Sequence, residues 1–291
     1  MLMETPLTTA LKLVNHAIAQ LQKDTVQAQA VDTLQQAASL LSKLDPYLDS
    51  VSSKGPPGLQ PLLDETDRHD WKGAFESGQV GFLAHPGWSA GGYEGNFIAT
   101  VARAINAKRV LEVGMFTGTT TLCVADALPE GGKLISLEQD AYFKKLAHPF
   151  FEKAGVSSRI DVRVAPAQAA LEQMAKDKEQ AFDLIFIDAD KTGYLKYYET
   201  ILDSGLLRRG GVLLVDNTLY KGLPFTPELH GLSQTLAQQL NLESANGLAL
   251  AEFNKHVAAD PRVVVSLLPI RDGVSWIMHA QDDGHVNPVR V

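Results

Sequence analysis

Apolar positions along this chain keep one period over the first fifty residues and another after residue 109. Leu7, Leu11, Val14, Ile18 and Leu21 fall at steps of four and three, which is one stripe of an amphipathic helix. Val31, Leu34, Ala38, Leu41 and Leu44 repeat the pattern, so a helical hairpin is expected. Asp45-Pro46 should stop its second helix, because the residue before a proline avoids helical geometry. VSSKGPPGLQP (51–61) reads as a linker, dividing the hairpin (1–61) from a main domain (62–291). Two helices cannot bury their stripes alone. They must pack on the main domain or on a second copy, and a homodimer is expected.

The main domain opens with a helical period over 64–75 that carries Trp71. A loop rich in glycine and aromatics follows (81–97), in which His85 and Trp88 are candidates to line a pocket. Phe97, Ile98, Val101, Ala102 and Ile105 then mark a helix. From Arg109 short apolar runs alternate with helical stretches: strands at 110–113, 133–137 and 160–164, helices at 119–127, 140–154, 167–177 and 192–203. FDLIFI and GVLLV add two more strands. Such alternation implies right-handed crossovers and a parallel sheet whose carboxyl ends share one edge.

Composition narrows the function classes. A chain of 291 residues with 45% hydrophobic content can bury one large α/β core and an appendage. The formal net charge of −8 argues against a nucleic-acid or anionic-membrane surface. Cys123 is the single cysteine, so a disulfide within the chain is impossible and a reducing compartment, the cytoplasm, is expected. Its position in the helix after a glycine turn marks it as a packing residue. No apolar run spans a bilayer.

The shared strand edge collects the chemistry. Gly114 and Gly118 punctuate a turn after the first strand, and Glu138 ends the second, about 20 residues on, where a carboxylate can accept hydrogen bonds from ribose hydroxyls. The turn lacks the G-x-G-x-x-G spacing that a pyrophosphate requires. Glu112, two residues before it, would repel a pyrophosphate but attract a cationic cofactor such as S-adenosylmethionine. The next two strands end in IDADK and VDN, which should bring Asp188, Asp216 and Asn217 together. Three oxygen donors without nitrogen or sulfur suit a hard divalent cation, Mg²⁺, rather than zinc. Lys191, with its pKa lowered by that cation, could serve as a general base.

VLEVGMFTG, LISLE, FDLIFIDADK, VDNTLYKG and LPIRDGVSWI, in this order and spacing, resemble the cation-dependent class I O-methyltransferases of the caffeoyl-CoA and catechol type. The resemblance covers roughly residues 90–280. It implies a Rossmann-like α/β fold with a seven-stranded, mostly parallel sheet and a C-terminal antiparallel hairpin. Asp272-Gly273 between two apolar runs independently reads as that hairpin. Carried over by motif, Glu112, Gly114, Met115, Thr120, Glu138, Ala167, Asp188 and Asp190 would contact S-adenosylmethionine. Asp188, Asp216 and Asn217 would hold the metal, and Lys191 would be the catalytic base.

Ala167 stands where the family usually has glycine, and Lys221 where plant members place a substrate-contacting asparagine. Residues 222–245 form the expected lid. The hairpin ending LDPYLDS, LEVGMFTG and AEFNKHVAADPRVVVSLLPIRDG are similar to the O-methyltransferases of mycosporine and gadusol biosynthesis, which act on demethyl-4-deoxygadusol. Catechol- or caffeoyl-CoA-type methylation is the alternative. A nicotinamide-dependent dehydrogenase and a non-catalytic scaffold are the remoter ones. The first lacks its glycine turn, and the second would have lost a metal ligand or the lysine.

Overall fold

The computed structural model describes residues 6–21 and 28–280, so residues 1–5, 22–27 and 281–291 lie outside it. Two long helices come first, α1 (Pro6–Leu21) and α2 (Ala28–Val51), then α3 (Leu59–Arg68), α4 (Trp71–Glu76) and α5 (Gly91–Ala104). The alternating part runs β1 (Arg109–Val113), α6 (Thr119–Ala127), β2 (Lys133–Glu138), α7 (Ala141–Lys153), β3 (Ile160–Val164), α8 (Ala167–Lys176), β4 (Phe182–Ile187), α9 (Tyr194–Asp203) and β5 (Leu207–Val215). The chain closes with α10 (Gln234–Gln239), α11 (Ser244–Ala259), β6 (Val263–Leu268) and β7 (Val274–His279).

The seven strands form one sheet in the order β3-β2-β1-β4-β5-β7-β6. β1 to β5 are parallel, and β7 is antiparallel to both β5 and β6. Side chains of a strand alternate between faces, and each face has its own cover. Leu111, Val113, Ile185 and Leu213 pack with Leu171 of α8, Tyr194 and Tyr198 of α9 and Phe253 of α11. Val110, Leu184 and Leu214 pack with Ile98 and Val101 of α5 and Val124 of α6. The strand order reverses between β1 and β4, and a crevice opens there at the carboxyl edge. Cys123 is buried against α5, as a packing residue should be, with its thiol pushed up to about 12 mainly by burial. Among the described residues no helix is long and apolar enough to cross a membrane.

Several expected boundaries move, each for a tertiary reason. α2 does not stop at Asp45-Pro46 but continues through Pro46 to Val51. The missing proline N–H is outweighed by Arg271, which ion-pairs with Asp45 at 3.0 Å and Asp49 at 2.9 Å on either side of the proline. The expected linker is partly helix: α3 begins inside it at Leu59, which is fully buried. The single helix expected over 64–75 is two, because His69 is extended and Asp70 caps α4 by accepting the Gly73 N–H at 2.9 Å. α5 starts at Gly91, six residues before the expected Phe97, so the glycine-aromatic loop is shorter than its composition suggests.

Of the two partners open to the hairpin, the chain's own core takes α1. Leu11 and Ile18 are buried, and α1 packs on the turn at Tyr220–Gly222.

Candidate active site

Register builds the site. Val113 is level with Leu137 on β2 and with Ile187 on β4, and Ile187 is level with Val215 on β5. The residues that follow, Gly114, Glu138, Asp188 and Asp216, therefore form a row across four strand tips. Backbone bonds continue the ladder into this row: Gly114 N–H donates to Leu137 O at 3.0 Å, Asp188 N–H to Val113 O at 2.8 Å and Asp216 N–H to Ile187 O at 2.9 Å.

A cavity of about 420 Å³ lies over that row. Gly114, Glu138, Ala167, Asp188, Asp190, Lys191, Asp216 and Asn217 all line it. Glu112, Met115 and Thr120 do not. Met115 is packed in the core, Thr120 is buried in α6, and Glu112 lies under the turn, where it accepts hydrogen bonds from Thr121 Oγ1 at 2.5 Å and from Ser136 Oγ. Burial raises the Glu112 carboxyl to about 8, the two hydroxyls offsetting only part of that. Trp88 lines the cavity as expected, with Phe82, Phe116 and Phe143. His85 does not: its Nδ1 accepts the Gly87 N–H at 3.0 Å and caps a short turn.

One half of the cavity suits a nucleoside. Glu138 Oε2 accepts the Phe116 N–H and Oε1 the Asp140 N–H, both at 2.9 Å, which fixes the carboxylate at the tip of β2. Its pKa is raised by burial and held back by these amides. Asp190 is anchored by the hydroxyl of Tyr197.

The other half is crowded with buried acids. Asp216 is raised to about 7 by burial and then by Asp188. Glu94 of α5 is raised by burial and by facing Asp216. Asp216 Oδ1 and Glu94 Oε1 are buried without a hydrogen-bond partner. Lys191 Nζ donates to Asp188 Oδ1 at 2.9 Å and to Tyr194 Oη at 2.8 Å. Burial opposes the Lys191 charge, but Asp188, Tyr194 and Asp216 raise its pKa well above the usual value; a cation among these acids would act in the opposite direction.

Among the described residues no three His, Cys, Asp or Glu side chains are grouped so as to hold a metal ion by themselves. The expected donor set is two carboxylates, Asp188 and Asp216, and the Asn217 amide. With one orphaned carboxylate oxygen, it fits a hard cation that keeps other positions open. Sequence reasoning missed Glu94, although a signal existed: Glu94, Ile98 and Val101 share one helix face, so a carboxylate sits on an apolar stripe. Arg271 and Asp272 also line the cavity, whereas the sequence pattern assigns Asp272 only to a hairpin turn and Arg271 to no site.

The O-methyltransferase family model matches residues 85–280. The chain is 36% identical over 228 residues to the caffeoyl-CoA O-methyltransferase of Medicago sativa, covering 78% of this chain and 83% of that one. It is 33% identical over 233 residues to the Eucalyptus gunnii caffeoyl-CoA O-methyltransferase, covering 80% and 84%. The SAH-bound Podospora anserina methyltransferase PaMTH1 superposes with a TM-score of 0.69 at 28% identity, over 84% of this chain and 96% of that one. The fold also matches the Streptomyces achromogenes O-methyltransferase TomG, at a TM-score of 0.66 and 23% identity over 82% and 96% of the two chains. The chain therefore belongs to the O-methyltransferase family, as an S-adenosylmethionine-dependent O-methyltransferase of the caffeoyl-CoA O-methyltransferase type.

Proposed function

We propose that the chain methylates a hydroxyl of a compact acceptor with neighbouring oxygens, using Mg²⁺ held by Asp188, Asp216 and Asn217. The observation that carries this reading is the crowding of buried acids beside Lys191, with an oxygen of Asp216 and one of Glu94 left without partners. A divalent cation bound there supplies charge that lowers the pKa of the acceptor hydroxyl. Lys191 would take the hydroxyl proton at Nζ as the neutral amine, its ammonium having first lost a proton to solvent, a loss favoured when a cation rather than the ammonium neutralises Asp188. Glu138 binds the ribose hydroxyls, Gly114, Ala167 and Asp190 complete the cofactor wall, and Glu112, Met115 and Thr120 support the turn from beneath. The row of strand tips aligns acceptor oxygen and methyl donor, and such positioning is worth roughly 7 to 11 kcal/mol of a barrier.

Within this class the favoured acceptor is demethyl-4-deoxygadusol, giving 4-deoxygadusol in mycosporine biosynthesis in the cytoplasm. The sequence resemblance supports it, and so does the state of the cations in the cavity. Lys191 is engaged by Asp188, Lys221 Nζ by the Asn241 carbonyl at 2.7 Å and Arg271 by Asp45 and Asp49. The phosphates of a coenzyme A thioester would find Lys191 and Arg271 already neutralised by carboxylates and the Lys221 ammonium directed at a carbonyl. A caffeoyl-CoA or catechol acceptor is the second reading, favoured by the similarity to the plant enzymes. Assays with S-adenosylmethionine and Mg²⁺ against all three acceptors decide between them. Transfer to caffeoyl-CoA alone would overturn the first reading.

Two variants separate base from metal. Lys191→Met should still bind cofactor and Mg²⁺ by calorimetry, yet lose roughly 10² to 10⁴ of its rate, with part recovered at higher pH. Full activity at neutral pH would remove Lys191 from the mechanism. Asp216→Ala should lose activity that excess Mg²⁺ partly restores.

A homodimer also belongs to this proposal. Leu40, Leu44, Tyr47 and Val51 form one exposed apolar stripe on α2, 75%, 37%, 62% and 61% accessible.

A further inference from the structure

We propose that Arg271 is a positioning residue of the acceptor site and that the N-terminal helices act on methyl transfer through it. The proposal rests on O-methyltransferase activity but not on which acceptor is used. Arg271 has φ 49, a left-handed backbone that favours glycine, and its side chain is only 2% exposed. A strained, buried cation needs strong partners. It has Asp45 and Asp49 of α2 at 3.0 and 2.9 Å and the face of Tyr93 of α5 at 5.1 Å.

The turn it begins clasps the segment that follows the Asp216-Asn217 pair. Thr218 N–H donates to Gly273 O at 3.0 Å, Leu219 N–H to Asp272 O at 2.8 Å and Tyr220 N–H to Asp272 O at 3.2 Å. Lys221 N–H donates to Asp272 Oδ1 at 2.7 Å. A Cβ on Gly273 would lie 2.5 Å from the Leu219 side chain, so turn and segment cannot slide past one another. Four consecutive amides after Asn217 thus hang on a turn that α2 holds in place. Tyr220, Lys221, Arg271 and Asp272 all line the acceptor half of the cavity, while the Glu138 half rests on other strands. Anchoring by Asp45 and Asp49 should therefore act on acceptor binding and leave the cofactor alone.

The test is the full-length double variant Asp45→Asn/Asp49→Asn, with Asp49→Asn as a milder second and Asp45→Glu/Asp49→Glu as the conservative rescue. Amide hydrogen exchange at 218–221 should accelerate about tenfold or more in the double variant, by less in the single one, and return with the glutamates. The Gly114 amide, bonded to Leu137 O, should not change. KM for whichever of catechol, caffeoyl-CoA and demethyl-4-deoxygadusol is turned over should rise about tenfold, with the S-adenosylmethionine Kd unchanged. Unchanged exchange at 218–221 overturns the proposal, and so does equal acceleration at Gly114, which would mean general loosening. If none of the three acceptors is methylated, the choice of substrates fails while the exchange result still decides the coupling.

Discussion

Glu138 holds two backbone amides before it holds any ligand, and so its role can be measured in two ways. Glu138→Ala frees the Phe116 and Asp140 N–H groups and removes the ribose acceptor, so S-adenosylmethionine affinity should fall by about 1.5 to 3 kcal/mol in calorimetry. Unchanged affinity would sink the ribose assignment. Glu112 poses the opposite case, a carboxyl whose sequence position suggested a ligand contact but which is enclosed under the turn. Its folded-state value near 8 lies above the usual 4.5. Its contribution to stability is thus fully present below the lower value and lost as pH rises through the higher one. Glu112→Gln cannot ionise, so its Tm should be flatter than that of the parent between about pH 5 and 8. A constant offset between the two across that window would show that Glu112 does not titrate there. The row Glu138, Asp188 and Asp216 could be read from the sequence because each acid ends an apolar run. Glu94 was missed because the helix was expected to begin at Phe97, which left this carboxylate in a loop instead of on the apolar face of α5.

At the scale of elements, the turn between β1 and α6 is the tightest constraint. Gly114 has φ 97, and a Cβ there would lie 2.0 Å from the Asp188 carbonyl oxygen. Gly114→Ala should cost on the order of 2 to 4 kcal/mol in urea unfolding and abolish cofactor binding. Gly131 is the control, with φ 76 and open space around it, where alanine should cost about 1 to 2 kcal/mol from backbone strain alone. Equal losses at the two positions would rule out the close contact with Asp188. The alternating strands and helices fell where the periodicity put them, since local pattern and burial agree there. The helices before β1 did not. α2 crosses Pro46 because Arg271, more than two hundred residues distant, holds it on both sides, and α3 starts inside a Pro-Gly stretch because α5, α6 and α7 bury its apolar face.

For the whole molecule, that crossing has a consequence: only a helix continuous through Pro46 aligns Leu40, Leu44, Tyr47 and Val51 into one stripe. Leu40→Glu/Tyr47→Glu should convert a dimer into a monomer with unchanged unfolding of the main domain, as read by light scattering. A monomeric parent protein would end the dimer proposal. What the sequence by itself determined is the alternation of strands and helices, the parallel sheet, the acids at the strand tips and the reaction class they imply. Those features depend on neighbours within a few residues of one another, so they are written in local order. Only the tertiary structure decided that Glu112 sits beneath the turn, that Glu94 faces Asp216, and that Arg271 ties the N-terminal helices to the acceptor site. Each of these depends on the desolvation and charge of groups far apart in the chain, which exist only once the chain has folded.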